Sequence, residues 1–115
     1  MGDRSFSNVS LFITDKEKGK WINTMITGSV ALVQLKDIGA PIVLIRIWQE
    51  SEDGDLGKVM FEAEIPLNFH LEKLDGRFTA LACLKNGNYF GFYFNKGVSD
   101  CSIFNMLMTE LHEQL

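Results

Sequence analysis

His70, His112, Cys83 and Cys101 are the side chains in this sequence best suited to metal binding or nucleophilic catalysis. Their spacing argues against both. A structural zinc site draws on closely spaced pairs of nitrogen or sulfur ligands, and these four residues form no such pairs. A cysteine nucleophile needs a base within hydrogen-bond reach, and no motif here ties either cysteine to a histidine. Glu62 and Glu64 come nearest to a catalytic carboxylate pair. Two positions apart on a strand, they would share a face at about 6–7 Å, but nothing around them supplies an acid–base environment. The run Glu50-Ser51-Glu52-Asp53-Gly54-Asp55 lacks the spacing of a calcium loop and reads as an acidic solvent loop. Gly19, Gly28, Gly54 and Gly57 are dispersed at turns rather than gathered into a phosphate cradle. The sequence predicts neither an enzyme nor a bound cofactor or metal.

Aromatic residues carry the remaining chemistry. Trp21 follows the hydrophilic turn Asp15–Lys20 instead of sitting in an alternating apolar strand, which favours exposure. A Trp at the start of a strand also serves to plug a barrel end, and the sequence fits both roles. Phe78 shares its strand face with Ala80 and Ala82, small residues that line either a groove or a crowded core. Trp48 and Tyr93 read as structural. Flat exposed rings fit the ridges of a polyproline II helix, and an indole N–H can donate to one of its outward carbonyls. The stiffness of such a peptide lowers the ordering cost of binding.

The elements that must position these rings are mostly strands. Between Gly28 and Phe94 the apolar residues repeat mostly at every second position, and from Phe104 to Leu115 at every third or fourth. Phe6–Thr14 predicts a first strand and Ser29–Leu35 a second. Ile42–Trp48 predicts a third, with β-branched Val43, Ile45 and Ile47 on one side. The cleanest alternation sets Val59, Phe61, Ala63 and Ile65 against Lys58, Met60, Glu62 and Glu64. Pro66 closes that strand, and Leu67–Asp75 reads as a long connection. Phe78–Leu84 and Tyr89–Phe94 flank Asn86-Gly87, the strongest hairpin signal in the chain. On the second of these strands Phe90, Phe92 and Phe94 share one face. Gly91 lies between two tyrosines on the other, where it permits close backbone approach or marks a bend. Ser99 suits a helix N-cap, and Ile103, Phe104, Leu107, Met108, Leu111 and Leu115 form one apolar stripe after it. The expected fold is mainly β: a small antiparallel barrel or sandwich capped by one C-terminal helix, as a single domain over residues 1–115.

At 115 residues the chain can bury a core without staples. Its two cysteines predict free thiols in a reducing compartment rather than a bridge. With 11 basic against 15 acidic residues and a formal charge of −4, a broad nucleic-acid surface is disfavoured. A phosphoinositide needs a basic pocket, and Lys16, Lys18 and Lys20 cluster in one turn with no comparable second cluster to complete it. No apolar signal core and no membrane-length run is present, so a cytoplasmic protein with little membrane contact is expected.

Three stretches then carry a resemblance. Trp21 stands seven residues before Gly28, Ile45-Arg46-Ile47-Trp48 forms a distinctive strand, and Arg77-Phe78-Thr79-Ala80-Leu81 is followed by Tyr89-Phe90-Gly91-Phe92-Tyr93-Phe94 before the closing helix. In this order they resemble the WH1/EVH1 domain, a pleckstrin-homology-like fold, over roughly Phe6 to Leu115, and within it the WASP-type WH1 group. The resemblance implies a protein-interaction module binding a proline-rich peptide, acting in actin-cytoskeletal or scaffold assemblies. It implies a groove with Trp21 at its centre and Phe78 beside it, with Ala80 on the same strand. Phe12 or Thr14 supplies the first-strand position, depending on register. Two other readings remain: a structural or regulatory interaction domain whose proline groove is lost, meeting a folded protein or pairing with a second copy through a sheet edge or its Phe-rich surface, and a weak phosphoinositide binder.

Overall fold

The computed structural model describes residues 5–15, 19–35, 42–50, 56–65, 69–83 and 88–114. Seven strands and one helix follow in order: β1 (Ser5–Asp15), β2 (Lys20–Leu35), β3 (Ile42–Glu50), β4 (Leu56–Ile65), β5 (His70–Lys73), β6 (Phe78–Cys83), β7 (Asn88–Phe94) and α1 (Val98–Gln114). All strand pairs are antiparallel, in the order β4-β3-β2-β1-β7-β6-β5. The sheet folds over on itself. Phe61 of β4 and Phe90 of β7 are separated by three intervening strands along the ladder, yet their ring centroids lie 5.2 Å apart.

The strands form where alternation and β-branching favour them. Val43, Ile45 and Ile47 are buried on one face of β3, and each stands opposite an apolar residue of β4: Ile65, Ala63 and Phe61. Phe92 and Phe94 point the same way from β7, with Leu11 and Val9 beside them on β1. This inner face is closed by α1, whose Cys101, Phe104, Met108 and Leu111 recur at three- and four-residue intervals and are buried. Phe104 sits at the centre, 5.2–5.8 Å from the rings of Phe6, Phe92 and Phe94. Its complete burial contributes about 1.5–3 kcal/mol by area alone. One polar link crosses the same interface: Thr79 Oγ1 donates to Asn105 Oδ1 at 2.7 Å, and both side chains are buried beside the free thiol of Cys101.

Three departures from the sequence expectations have physical causes. The second strand, expected over Ser29–Leu35, extends back to Lys20, so the segment from Lys20 to Gly28 is the first half of β2. A bulge interrupts it at Met25, whose φ is 66°; the side chains of Asn23 and Thr24 accept hydrogen bonds from the backbone N–H groups of Met25 and Ile26. A second bulge falls in β1 at Asn8 (φ 57°), and Glu50 accepts hydrogen bonds from the Asn8 backbone N–H and the Ser29 hydroxyl. The connection expected over Leu67–Asp75 contains β5, which pairs with β6 from His70↔Ala82 to Lys73↔Thr79. The helix begins at Val98, so Ser99 lies within its first turn rather than capping it. The predicted β6–β7 hairpin forms, with its Asn86-Gly87 turn outside the described residues.

Candidate functional site

On the sheet face opposite α1, four strands bring aromatic rings together. Inward placement of Phe90, Phe92 and Phe94 on β7 leaves Gly91 and Tyr93 facing outward. Across the ladders, Gly91 stands between Phe12 of β1 and Ala80 of β6, while Tyr93 is opposite Phe78. Trp21 of β2 is opposite Thr14 of β1. The ring of Phe78 is the hub, edge-to-face with Trp21 at 5.1 Å and with Phe12 at 5.4 Å, and tilted against Tyr93 at 6.2 Å. Each edge-to-face pair is worth about 0.5–1.5 kcal/mol beyond area burial. All four aromatic residues are partly exposed, so the rings form a platform rather than a sealed core.

Gly91 is what makes the cluster compact. A Cβ placed there would lie 2.6 Å from Cε1 and Cζ of Phe78 and 3.0 Å from Cζ3 of Trp21. The two rings therefore fill the space a side chain would take, which decides for close approach over a simple bend. Phe78 is also fixed from the turn before it. Asp75 Oδ1 accepts hydrogen bonds from the backbone N–H groups of Arg77 and Phe78 at 2.7 and 3.0 Å, and the Phe78 carbonyl accepts from the N–H groups of Leu74 and Asp75. This side-chain turn sets where β6 begins and hence where the hub ring points.

Of the five residues singled out in the sequence, Trp21, Phe78 and Phe12 come into ring contact or share the hub. Thr14 lies directly across from Trp21, partly exposed, and its hydroxyl donates to the Lys20 carbonyl at 3.1 Å. The two first-strand registers thus both reach the cluster: Thr14 faces the indole and Phe12 supplies a ring. Ala80 is only 1% exposed and offers no surface of its own. Tyr93, read as structural in the sequence, belongs to the ring cluster, and Asp75 and Gly91 hold that cluster in place. The flanking tyrosines were the only sequence signal for Gly91. Glu62 forms an ion pair with Arg46 across the β3–β4 ladder and has no second carboxylate partner in it. His112 packs edge-on against Phe69 at 5.2 Å. Among the described residues no group of three or more His, Cys, Asp or Glu side chains is placed to hold a metal. Of the basic cluster, Lys20 is exposed, while Lys16 and Lys18 lie outside the described residues. No described helix is long and apolar enough to cross a membrane.

No family model matches the chain, and no curated protein does. Solved structures do. The solution structure of the Dm DCP1 EVH1 domain in complex with the XRN1 DBM peptide matches with a TM-score of 0.71 at 16% identity, covering 99% of this chain and 78% of that one. The crystal structure of Dcp1p matches with a TM-score of 0.69 at 19% identity, covering 96% and 85%. The architecture is that of an EVH1 domain, a pleckstrin-homology-like antiparallel sheet sandwich closed by one C-terminal helix.

These likenesses correct the finer expectations. Both of these similar structures are of the Dcp1 type, and on them the placement within the WASP-type WH1 group is overturned. The reading as a binder of proline-rich cytoskeletal ligands falls with it, as does cytoskeletal association: the peptide in the similar complex is a DBM peptide of XRN1. The residues behind that reading explain the error. Trp21, the Ile45–Trp48 strand and the hairpin of Phe78 and Gly91 build features of the common architecture, and nothing in them encodes which branch of it the chain follows.

Proposed function

We propose that residues 1–115 act as a non-catalytic, EVH1-like interaction module that receives a short linear peptide on the platform of Phe12, Trp21, Phe78 and Tyr93. The observation that carries this reading is the partly exposed ring cluster converging over Gly91 on a face that α1 leaves open. Rigid aromatic side chains supply large contact area at low entropic cost, which suits recognition of a segment that arrives unstructured. The DCP1 EVH1 domain of the same fold was solved with a DBM peptide, and that class of ligand is the one we assign here. Thr14 borders the indole and contributes a hydroxyl at the rim, while Ala80 lies in the floor. Localisation in the cytoplasm follows from this reading as part of the same proposal.

The test is chemical-shift mapping of the isotope-labelled chain during titration with the XRN1 DBM peptide, with a proline-rich peptide as comparison. The proposal expects saturable shifts centred on Trp21, Phe78 and Gly91 with the DBM peptide and weaker ones with the proline-rich peptide. Shifts absent from these residues at millimolar DBM peptide would reject it.

A further inference from the structure

On the opposite side of the sheet from the aromatic platform, a groove of about 950 Å³ runs between α1 and the turn after β5. Its apolar walls are Val98, Ile103 and Met106, and two of these are notably open: Met106 is 60% exposed and Val98 57%. At Thr109 it meets a second concavity, of about 200 Å³, that reaches His70 and Leu71 on β5 itself. The two together follow α1 from Val98 to His112 and Glu113, a length of about 22 Å at 1.5 Å per residue. That accommodates about six residues of extended chain.

Beside this groove lies an open sheet edge. β5 ends the strand order, and no described strand pairs with its outer side. It is short and carries exposed His70, Glu72 and Lys73, features that discourage indiscriminate pairing and leave it selective for a strand with complementary charges. The charge bordering the groove is acidic. Asp75, Glu110 and Glu113 line it against a single described cation, Lys73, and Glu72 adds a further carboxylate on β5.

From the open edge, the apolar groove and its acidic border we infer a second docking site, distinct from the ring platform, for an extended peptide whose groove-facing residues, at every second position, include both apolar and basic side chains. The peptide adds to the outer edge of β5 through main-chain hydrogen bonds, places its apolar side chains against Met106 and Val98, and sets its lysines or arginines against Glu110, Glu113 and Asp75. This site does not depend on the function proposed for the aromatic face.

The test uses the full chain and a random dodecapeptide library displayed on phage, followed by the synthetic form of the most enriched sequence. Enrichment of peptides carrying both apolar and basic residues at every second position supports the inference, together with slowed amide exchange at alternate residues of His70–Lys73 on binding. Met106→Asp and the double reversal Glu110→Lys, Glu113→Lys each weaken that peptide about tenfold or more, while Trp21→Ala leaves it within about twofold. Both sets of side chains are exposed, so melting curves should show these variants folded. Recovery of no basic peptides, or binding of the recovered peptide that is indifferent to Met106→Asp, overturns the inference. So does protection confined to the surroundings of Trp21 and Phe78.

Discussion

Replacing Gly91 by Ala is the smallest change that tests how the aromatic face is built. The new methyl group would stand 2.6 Å from two carbons of the Phe78 ring and 3.0 Å from Trp21 Cζ3. Carbon atoms at rest sit about 3.5–4.0 Å apart, so the Phe78 ring must retreat by about 1 Å. It has no free retreat, because Phe12 and Tyr93 flank it and Asp75 pins the start of its strand. Overpacking of this kind costs about 1–3 kcal/mol. Part of that is the loss of the edge-to-face pairs, at about 0.5–1.5 kcal/mol each. For a domain of this size the melting temperature should fall by roughly 4–12 °C. The core beneath is untouched, since Phe92 and Phe104 face the other way. Thermal unfolding followed by circular dichroism gives the stability, and ring proton shifts of Phe78 and Trp21 report the displaced cluster. Affinity for a platform-bound peptide should drop about tenfold or more. A Gly91→Ala protein with wild-type melting temperature and unmoved ring resonances would refute the claim that glycine is required there for ring approach.

Other substitutions separate the platform from its support. Thr79→Val keeps shape but removes the hydroxyl that donates to Asn105, leaving a buried amide oxygen unpaired; chemical denaturation should show a loss of about 1–3 kcal/mol. Phe104→Ala empties the centre of the core and should cost about 3–5 kcal/mol, measured as a large shift of the urea midpoint or failure to fold. Gly28→Ala directs a methyl group into the Trp48 carbonyl oxygen, a backbone atom that cannot rotate away, and should lower the melting temperature more than Gly91→Ala. Asp75→Ala removes both acceptor contacts ahead of Phe78; it should cost about 1 kcal/mol in thermal unfolding and loosen the hub ring, seen as averaged Phe78 resonances.

What could be read in the sequence depended on whether a residue's neighbours kept strict alternation. β3 and β7 did: Val43, Ile45 and Ile47, and then Phe90, Phe92 and Phe94, announce both their strands and the face they bury. The first half of β2 did not. Its bulge at Met25 reverses the period midway, and that residue ends 82% exposed, so apolar and polar positions stop matching either face. β5 was hidden for another reason: it has four residues, and only Leu71 among them is partly buried, too little for a pattern. At the site, ring types were legible from the residues, while the meeting of Trp21, Phe78 and Phe12 was reached only through the family resemblance and the part of Tyr93 was not reached at all. Phe12, Trp21, Phe78 and Tyr93 come from four strands whose registers depend on two bulges, and no local pattern encodes that pairing. The class of ligand was least legible, because flat rings receive many extended peptides and carry no mark of one sequence.

In the function proposed above, the indole of Trp21 and the hub ring of Phe78 hold a peptide on the outer sheet face. Isothermal titration of the XRN1 DBM peptide into the wild-type chain and into Trp21→Ala tests it most directly, with melting curves establishing that both are folded. Wild-type binding should be measurable and should weaken about tenfold or more in the variant. Equal affinity in the two folded proteins would contradict it.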